Sequence, residues 1–167
     1  MDYLPDILDY NLKVVFIGYN PGLNSARIGH HYAGKSNNFW KLLYEAGFTP
    51  YKFTPEEDGK LIQFGLGSTN IVDRPTRGID ELKTAEFREG AIHLKDLLEK
   101  YRPGYSCYMG IGVYRVFSGK KEVVCGIQKE SVVEGVKDYV CSSPSGLNRT
   151  PYSEQLICLR GLNELLN

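Results

Sequence analysis

At 167 residues, 42% hydrophobic and 24% charged, the chain falls in the ordinary globular range, which excludes disorder and leaves room for one well-developed core. Twenty Lys plus Arg against twenty Asp plus Glu give a formal net charge of zero, so there is no global attraction to phosphates and any nucleic-acid contact needs local clustering of charge. The N-terminal MDYLPDILDYNLK lacks an apolar signal core, and no later stretch approaches the ~18 apolar residues that span a membrane, so the expected location is intracellular with no membrane partner.

Lys13 to Tyr19 reads as a buried strand, a short apolar run ended by Gly-x-x-Pro-Gly. The segment GYNPGLNSARIGHHYAGKSNN follows for about twenty residues without an obvious helix, long for a strand-to-helix connection and therefore a functional-loop candidate. Asn37 or Asn38 caps a helix whose apolar positions Phe39, Leu42, Leu43 and Ala46 follow the 3.6 period, and Gly47 supplies a left-handed stop. The acidic PEEDGK at 55–60 reads as a solvated turn, and 66–72 as a second strand broken by the Arg74-Pro75 step. Thr84 caps the longest helix, with Phe87, Ala91, Leu94, Leu98 and Tyr101 on one stripe and Pro103-Gly104 at its end. Tyr105 to Met109 is a third strand, followed by a short helix around Val113 to Phe117. Further strands fit at Ser131 to Gly135 and Asp138 to Ser142. A last helix runs from Glu154 to about Leu166, with Ser153 as cap and Tyr152 and Ile157 placed for a hydrophobic staple. This alternation predicts a three-layer α/β/α fold, a mostly parallel central sheet flanked by helices, in a single domain over 1–167.

Ligands of such folds bind off the carboxyl ends of the strands. The loop after the first strand, STNIVDRPTRG after the second and SSPSGLNR after the last should gather on that edge. A turn explains Gly18, Pro21 and Gly22 but not Asn20, whose plainest reading from local chemistry is an Asx turn before the proline. Cys107, Cys125, Cys141 and Cys158 lie 16 to 18 residues apart with no C-x-x-C pair, so they read as reduced core thiols rather than metal ligands. His30 and His31 are adjacent and point apart, which suits phosphate contact or loop hydrogen bonding and not a metal, while His93 reads as structural or surface-exposed.

GYNPGL resembles the first motif of the mismatch-specific uracil/thymine DNA glycosylases, the branch of the uracil-DNA glycosylase superfamily that holds eukaryotic thymine DNA glycosylase and the bacterial Mug enzymes. SPSGLNR resembles the second motif; GHHYAGKSNNFWKLLYEAGF, GLGSTNIVDRPTRG and EFREG are similar to the blocks between them, in the same order. The resemblance runs from about Leu4 to Leu166, that of a catalytic core without regulatory tails. It implies a uracil-DNA glycosylase-like fold and a monofunctional enzyme, a monomer acting in base excision repair without metal or cofactor. Such an enzyme flips uracil, thymine or a 5-modified pyrimidine from a G·U or G·T mismatch in double-stranded DNA and hydrolyses the N-glycosidic bond, leaving an abasic site. Its setting is the nucleus of a eukaryote, or the cytoplasm and nucleoid of a bacterium.

By the same resemblance, the amide oxygen of Asn20 positions the attacking water and the hydroxyl of Thr76 helps hold it. Tyr32 stacks on the flipped base, Asn37 lies at the pocket wall, Asn70 contacts the base, and Ser25 stands near a 5-substituent where the eukaryotic pattern has alanine. Leu147, in the turn Ser143-Pro144-Ser145-Gly146-Leu147, takes the wedge position, where the eukaryotic enzymes carry arginine, and its neighbours' backbone faces the orphaned guanine. Arg27, His31, Lys35, Lys41, Arg77 and Arg149 are the expected phosphate contacts. Two rival readings are a catalytically silent mismatch-binding relative, and a nucleotide or sugar-phosphate hydrolase, which lacks the G-x-x-x-x-G-K-[ST] spacing and a carboxylate pair.

Overall fold

The structure, a computed structural model, describes residues 2–167. Its centre is the apolar run Val14–Gly18 (β1), buried along its whole length. Successive side chains of a strand face opposite ways, so a run that is apolar throughout must be covered on both sides. Val14 and Phe16 pack into one cluster with Phe39, Trp40, Leu42 and Leu43 of helix Phe39–Glu45 and with Leu159 and Leu162 of helix Tyr152–Leu166. Val15 and Ile17 face the other way, onto Leu94 and Leu98 of helix Thr84–Tyr101 and Val113, Tyr114 and Phe117 of helix Ile111–Ser118. The sheet thus lies between two helical layers, the α/β/α arrangement that the alternation of elements implies.

β1 pairs in parallel with Leu66–Asn70 (β2) on one side and Tyr105–Met109 (β3) on the other. β3 pairs in parallel with Lys137–Cys141 (β5), and the two-residue Gly126–Ile127 (β4) closes the edge antiparallel to β5, for an order β2-β1-β3-β5-β4. The chain leaves β1 toward β2 and leaves β3 toward β5, in opposite directions. A crevice therefore opens where these adjacent strands end, the switch point at which α/β sheets bind ligands.

Several local expectations are corrected. Residues 131–135 are not a strand. The Asp138 carboxylate accepts the Val132 amide at 3.1 Å, Gly135 turns the chain at φ 85° and Val136 N–H returns to Val133 O, so Val133 and Val136 plug the core from a turn. The first loop contains a six-residue helix, Leu23–Ile28, closed by Gly29 in the left-handed region. The acidic run at 55–60 belongs to a 3-10 helix, Pro55–Phe64, and Asp58 is buried because its carboxylate accepts the His31 amide at 2.8 Å and sits 3.1 Å from His30 Nδ1. Thr84 is the first helical residue rather than the cap; Glu86 accepts the Lys83 amide at 2.9 Å instead. The last helix starts at Tyr152, so Ser153 is inside it, and Ile157 is 67% exposed and forms no staple; Tyr152 donates to Glu45 at 2.6 Å. Cys107 and Cys141 are buried and Cys158 half-buried, but Cys125 is exposed beside the edge strand. No described helix is long and apolar enough to cross a membrane.

Candidate active site

A cavity of about 760 Å³ occupies the crevice. Every parallel strand delivers residues to its wall from its carboxyl end: Gly18 to Asn20 after β1, Asn70 at the end of β2, Met109 at the end of β3 and Ser143 to Asn148 after β5. The loop 21–37 and the segment 76–79 complete it.

Asn20 is held by two long-range bonds. Its Nδ2 donates to the carbonyl of Arg74 and to Oγ1 of Thr76, both at 2.8 Å. A carbonyl can only accept, so the nitrogen of the amide must be on this side, and Oδ1 is left as the acceptor that a cavity-lining residue can offer. These partners, 54 and 56 residues away, replace the local Asx turn. The two segments are themselves zipped: Thr76 N–H donates to Pro21 O at 3.2 Å, and Gly22 and Thr76 form a parallel bridge. Thr76 is 3% exposed, and its hydroxyl donates to Gly78 O at 2.8 Å while accepting from Asn20. That single hydrogen is committed, so Thr76 orients the Asn20 amide and does not itself donate to a solvent molecule. Any hold that Thr76 has on a solvent molecule is therefore through an oxygen lone pair or through the Asn20 amide.

Tyr32 has a positive φ of 52° and stacks on Phe39, centroids 3.8 Å apart and planes 13° from parallel. Phe39 covers one face of the ring, leaving the other for the cavity that it lines. Burial raises the pKa of its hydroxyl, which has no hydrogen-bond partner among the described residues. Asn37 uses Oδ1 to accept the Phe39 amide at 2.9 Å, which keeps its NH2 group for the wall. Asn70 faces Gly18 in register, with Oδ1 2.7 Å from where a Cβ on Gly18 would lie; only glycine allows the carboxamide over the strand end. Ser25 is buried on the short helix and accepts the Ala33 amide at 3.0 Å.

His31 is not a phosphate contact. It is 2% exposed, with Nε2 2.7 Å from Pro5 O and Nδ1 2.9 Å from Ser68 Oγ. A carbonyl demands a donor, so Nε2 carries the hydrogen and Nδ1 accepts from the serine, a satisfied neutral ring. The ring ties the N-terminal segment to the site and brings Leu4, which no sequence motif singles out, into the cavity wall.

The turn after β5 is stapled by its own side chains. Ser145 N–H donates to Ser143 Oγ, Leu147 N–H to Ser145 Oγ, both at 3.2 Å, and Asn148 Nδ2 donates to Ser143 O at 2.7 Å. Pro144 is buried and its carbonyl accepts from Asn38 N–H at 2.9 Å, while the space beside Gly146 is filled by Ser36. On this rigid frame Leu147 stands 90% exposed at the cavity mouth. Leu23 and Ile79 are also exposed there, an apolar rim that the reading of single motifs missed.

Of the expected cations, Arg77 lines the cavity and Arg27, Lys35, Lys41 and Arg149 are exposed outside it. Arg27 donates to Asn24 Oδ1 at 2.8 Å, and Lys41 Nζ sits 4.4 Å over the ring of Tyr152. The model of the uracil DNA glycosylase superfamily matches residues 5–166, nearly the whole chain. Members of that superfamily are DNA glycosylases of base excision repair. A parallel sheet whose strand ends converge on an amide, an aromatic platform and an exposed apolar side chain, matched end to end by that model, makes the chain a member of the uracil DNA glycosylase superfamily.

Proposed function

We propose that the protein is a monofunctional glycosylase of the mismatch-specific uracil/thymine branch, releasing uracil, thymine or a 5-modified pyrimidine opposite guanine. The observation that carries this reading is the Asn20 amide, tied through Nδ2 to Arg74 and Thr76 so that Oδ1 remains for a water in a cavity large enough for a pyrimidine. A stacked base must leave the helix before its glycosidic carbon can be reached, at a cost of about a few kcal/mol that a mismatched pair lowers. Leu147 fills the vacated stack and the free face of Tyr32 receives the base. Asn20 has no useful basicity, so the ~10²–10⁴-fold of general-base assistance is absent and positioning of the water carries the step. The glycosidic bond therefore breaks early, the sugar gaining oxocarbenium character and the base leaving as an anion that Asn70 and nearby donors stabilise. Leaving-group quality then ranks substrates, uracil ahead of thymine.

The test is single-turnover base release from duplexes carrying G·U, G·T and A·U, and from single-stranded uracil. G·U is expected to react fastest, with strand scission only after alkali. Tight mismatch binding without abasic product would make the protein a silent relative; equal rates on G·U and A·U would remove it from the mismatch branch.

A further inference from the structure

We infer that Arg74 and Glu86, neither of which lines the cavity, are positioning residues for the Asn20 amide, a role that rests on the glycosylase reading for its effect on rate. Asn20 Nδ2 has two acceptors, and each arm is fixed by a carboxylate: Glu86 in the first turn of the long helix Thr84–Tyr101, and Glu81 in the 3-10 turn Ile79–Glu81 just before it. On the first arm, the Arg74 guanidinium forks onto Glu86, Nε to Oε1 at 2.6 Å and Nη2 to Oε2 at 3.0 Å, and Nη2 also donates to Glu81 O at 2.9 Å. Arg74 precedes Pro75, and a residue before proline is confined to extended backbone. With its head clamped and its backbone restricted, its carbonyl has less freedom to turn away from Asn20 Nδ2, to which it is bonded at 2.8 Å. On the second arm, Thr76 Oγ1 is aimed by donation to Gly78 O, and the Glu81 carboxylate holds the amides of Arg77 and Gly78 at 3.0 and 3.2 Å.

The anchor is the helix itself. Glu86 also accepts the Lys83 amide at 2.9 Å at its first turn, and Leu94 and Leu98 further along are buried in the core. Arginine pairing holds the Glu86 carboxyl well below the usual carboxylate range, at about 2, so the pair is ionised at neutral pH. Yet the Arg74 side chain is 49% exposed, and an ion pair so placed contributes little to stability. A bidentate, geometrically restrictive pair fits a role in position better than one in stability. It also explains an amide at 20: both partners are acceptors, a carbonyl and a hydroxyl whose hydrogen is spent, so a carboxylate in the same orientation would meet the Arg74 carbonyl without a proton between them.

The experiment compares Arg74→Gln, Glu86→Gln and the conservative Arg74→Lys with the wild type by two independent readouts. One is the ¹⁵N-detected side-chain NH2 signal of Asn20, assigned by its loss in Asn20→Ala, and its exchange with water. The other is the single-turnover rate on a G·U duplex, with binding measured separately by anisotropy. Arg74→Gln and Glu86→Gln are expected to speed exchange of the Asn20 amide and to slow base release by ~10- to 100-fold, the scale of a small misplacement of a reacting group, with binding and thermal midpoint unchanged. Arg74→Lys should fall between. Unchanged Asn20 exchange in both glutamine variants, or a rate loss accounted for entirely by weaker binding, overturns the proposal. Should the wild type release no base, the glycosylase reading falls alone and the Asn20 signal still decides the clamp.

Discussion

Two loops meet at the mouth of the cavity, and they are rigid in opposite ways. Around Asn20 the side chain itself is locked: both amide hydrogens are spent on Arg74 and Thr76, and Thr76 is spent in turn on Gly78. In the 143–148 turn the backbone is locked by Ser143, Ser145 and Asn148, while the side chain of Leu147 is left free in solvent. An atom that must sit in line with a sugar carbon gains from an over-determined site, since small displacements are costly in rate. A wedge that must push into a base stack gains from a fixed base and a mobile, unpaired tip. On the proposed function one loop has a geometric task and the other a mechanical one, and their different rigidity fits that division.

That contrast breaks most decisively at Asn20. Asn20→Ala is expected to slow single-turnover base release by at least ~10²-fold while duplex binding persists, because only the positioning term is removed. It also strips Arg74 O and Thr76 Oγ1 of a donor, so stability should fall by about 1–2 kcal/mol, read as a lower thermal midpoint. Retained turnover would take the amide out of the chemistry. Leu147→Ala comes next and inverts the pattern. Removing three carbons worth ~0.8 kcal/mol each costs roughly 2 kcal/mol of burial in the stack, or about thirtyfold on paired substrate. Since the side chain is 90% exposed, the thermal midpoint should not move. Equal losses on duplex and on single-stranded uracil would show that Leu147 does something other than wedge.

How far the sequence reveals these loops depends on the range of the forces involved. β1, β2 and β3 are legible to within about two residues because VVFI and YSCYM are apolar or small on both faces and end in turn residues. The segment 131–135 misleads for a long-range reason: its β-branched residues suit a strand, but the buried Asp138 carboxylate needs donors and takes the Val132 amide. LNSARI at 23–28 is too short to show periodicity and has no side-chain cap to announce it. Asn20 can be picked out as unexplained, yet nothing local says which way its amide turns, because both partners lie more than fifty residues on. His31 fails likewise. A histidine in a polar loop looks solvated until Ser68 and Pro5, 37 and 26 residues away, enclose it.

His31 also yields the smallest effect, one that extends the contrast to the cavity's inner wall, where a ring is locked for structure alone. Burial is the main cause that lowers its pKa from the ordinary 6.5, the Pro5 bond and the neighbouring carboxylates pulling back only in part. The unfolded chain therefore takes up a proton below pH 6.5 that the native state refuses, and stability must fall as pH drops from there toward the native pKa. Asp6, whose pKa burial raises, works in the opposite sense: the native state holds its proton at pH values where the unfolded chain has lost it, which opposes the fall at the acid end. A single group contributes at most ~1.4 kcal/mol per pH unit, or about 2–4 °C per kcal/mol in a chain of this size. The wild-type thermal midpoint should thus decline by a few degrees between pH 7 and 5, and His31→Gln, which keeps a donor for Pro5 O but cannot titrate, should flatten that decline. A slope identical in the variant would place the acid sensitivity elsewhere and leave His31 as a neutral tether whose protonation the fold tolerates.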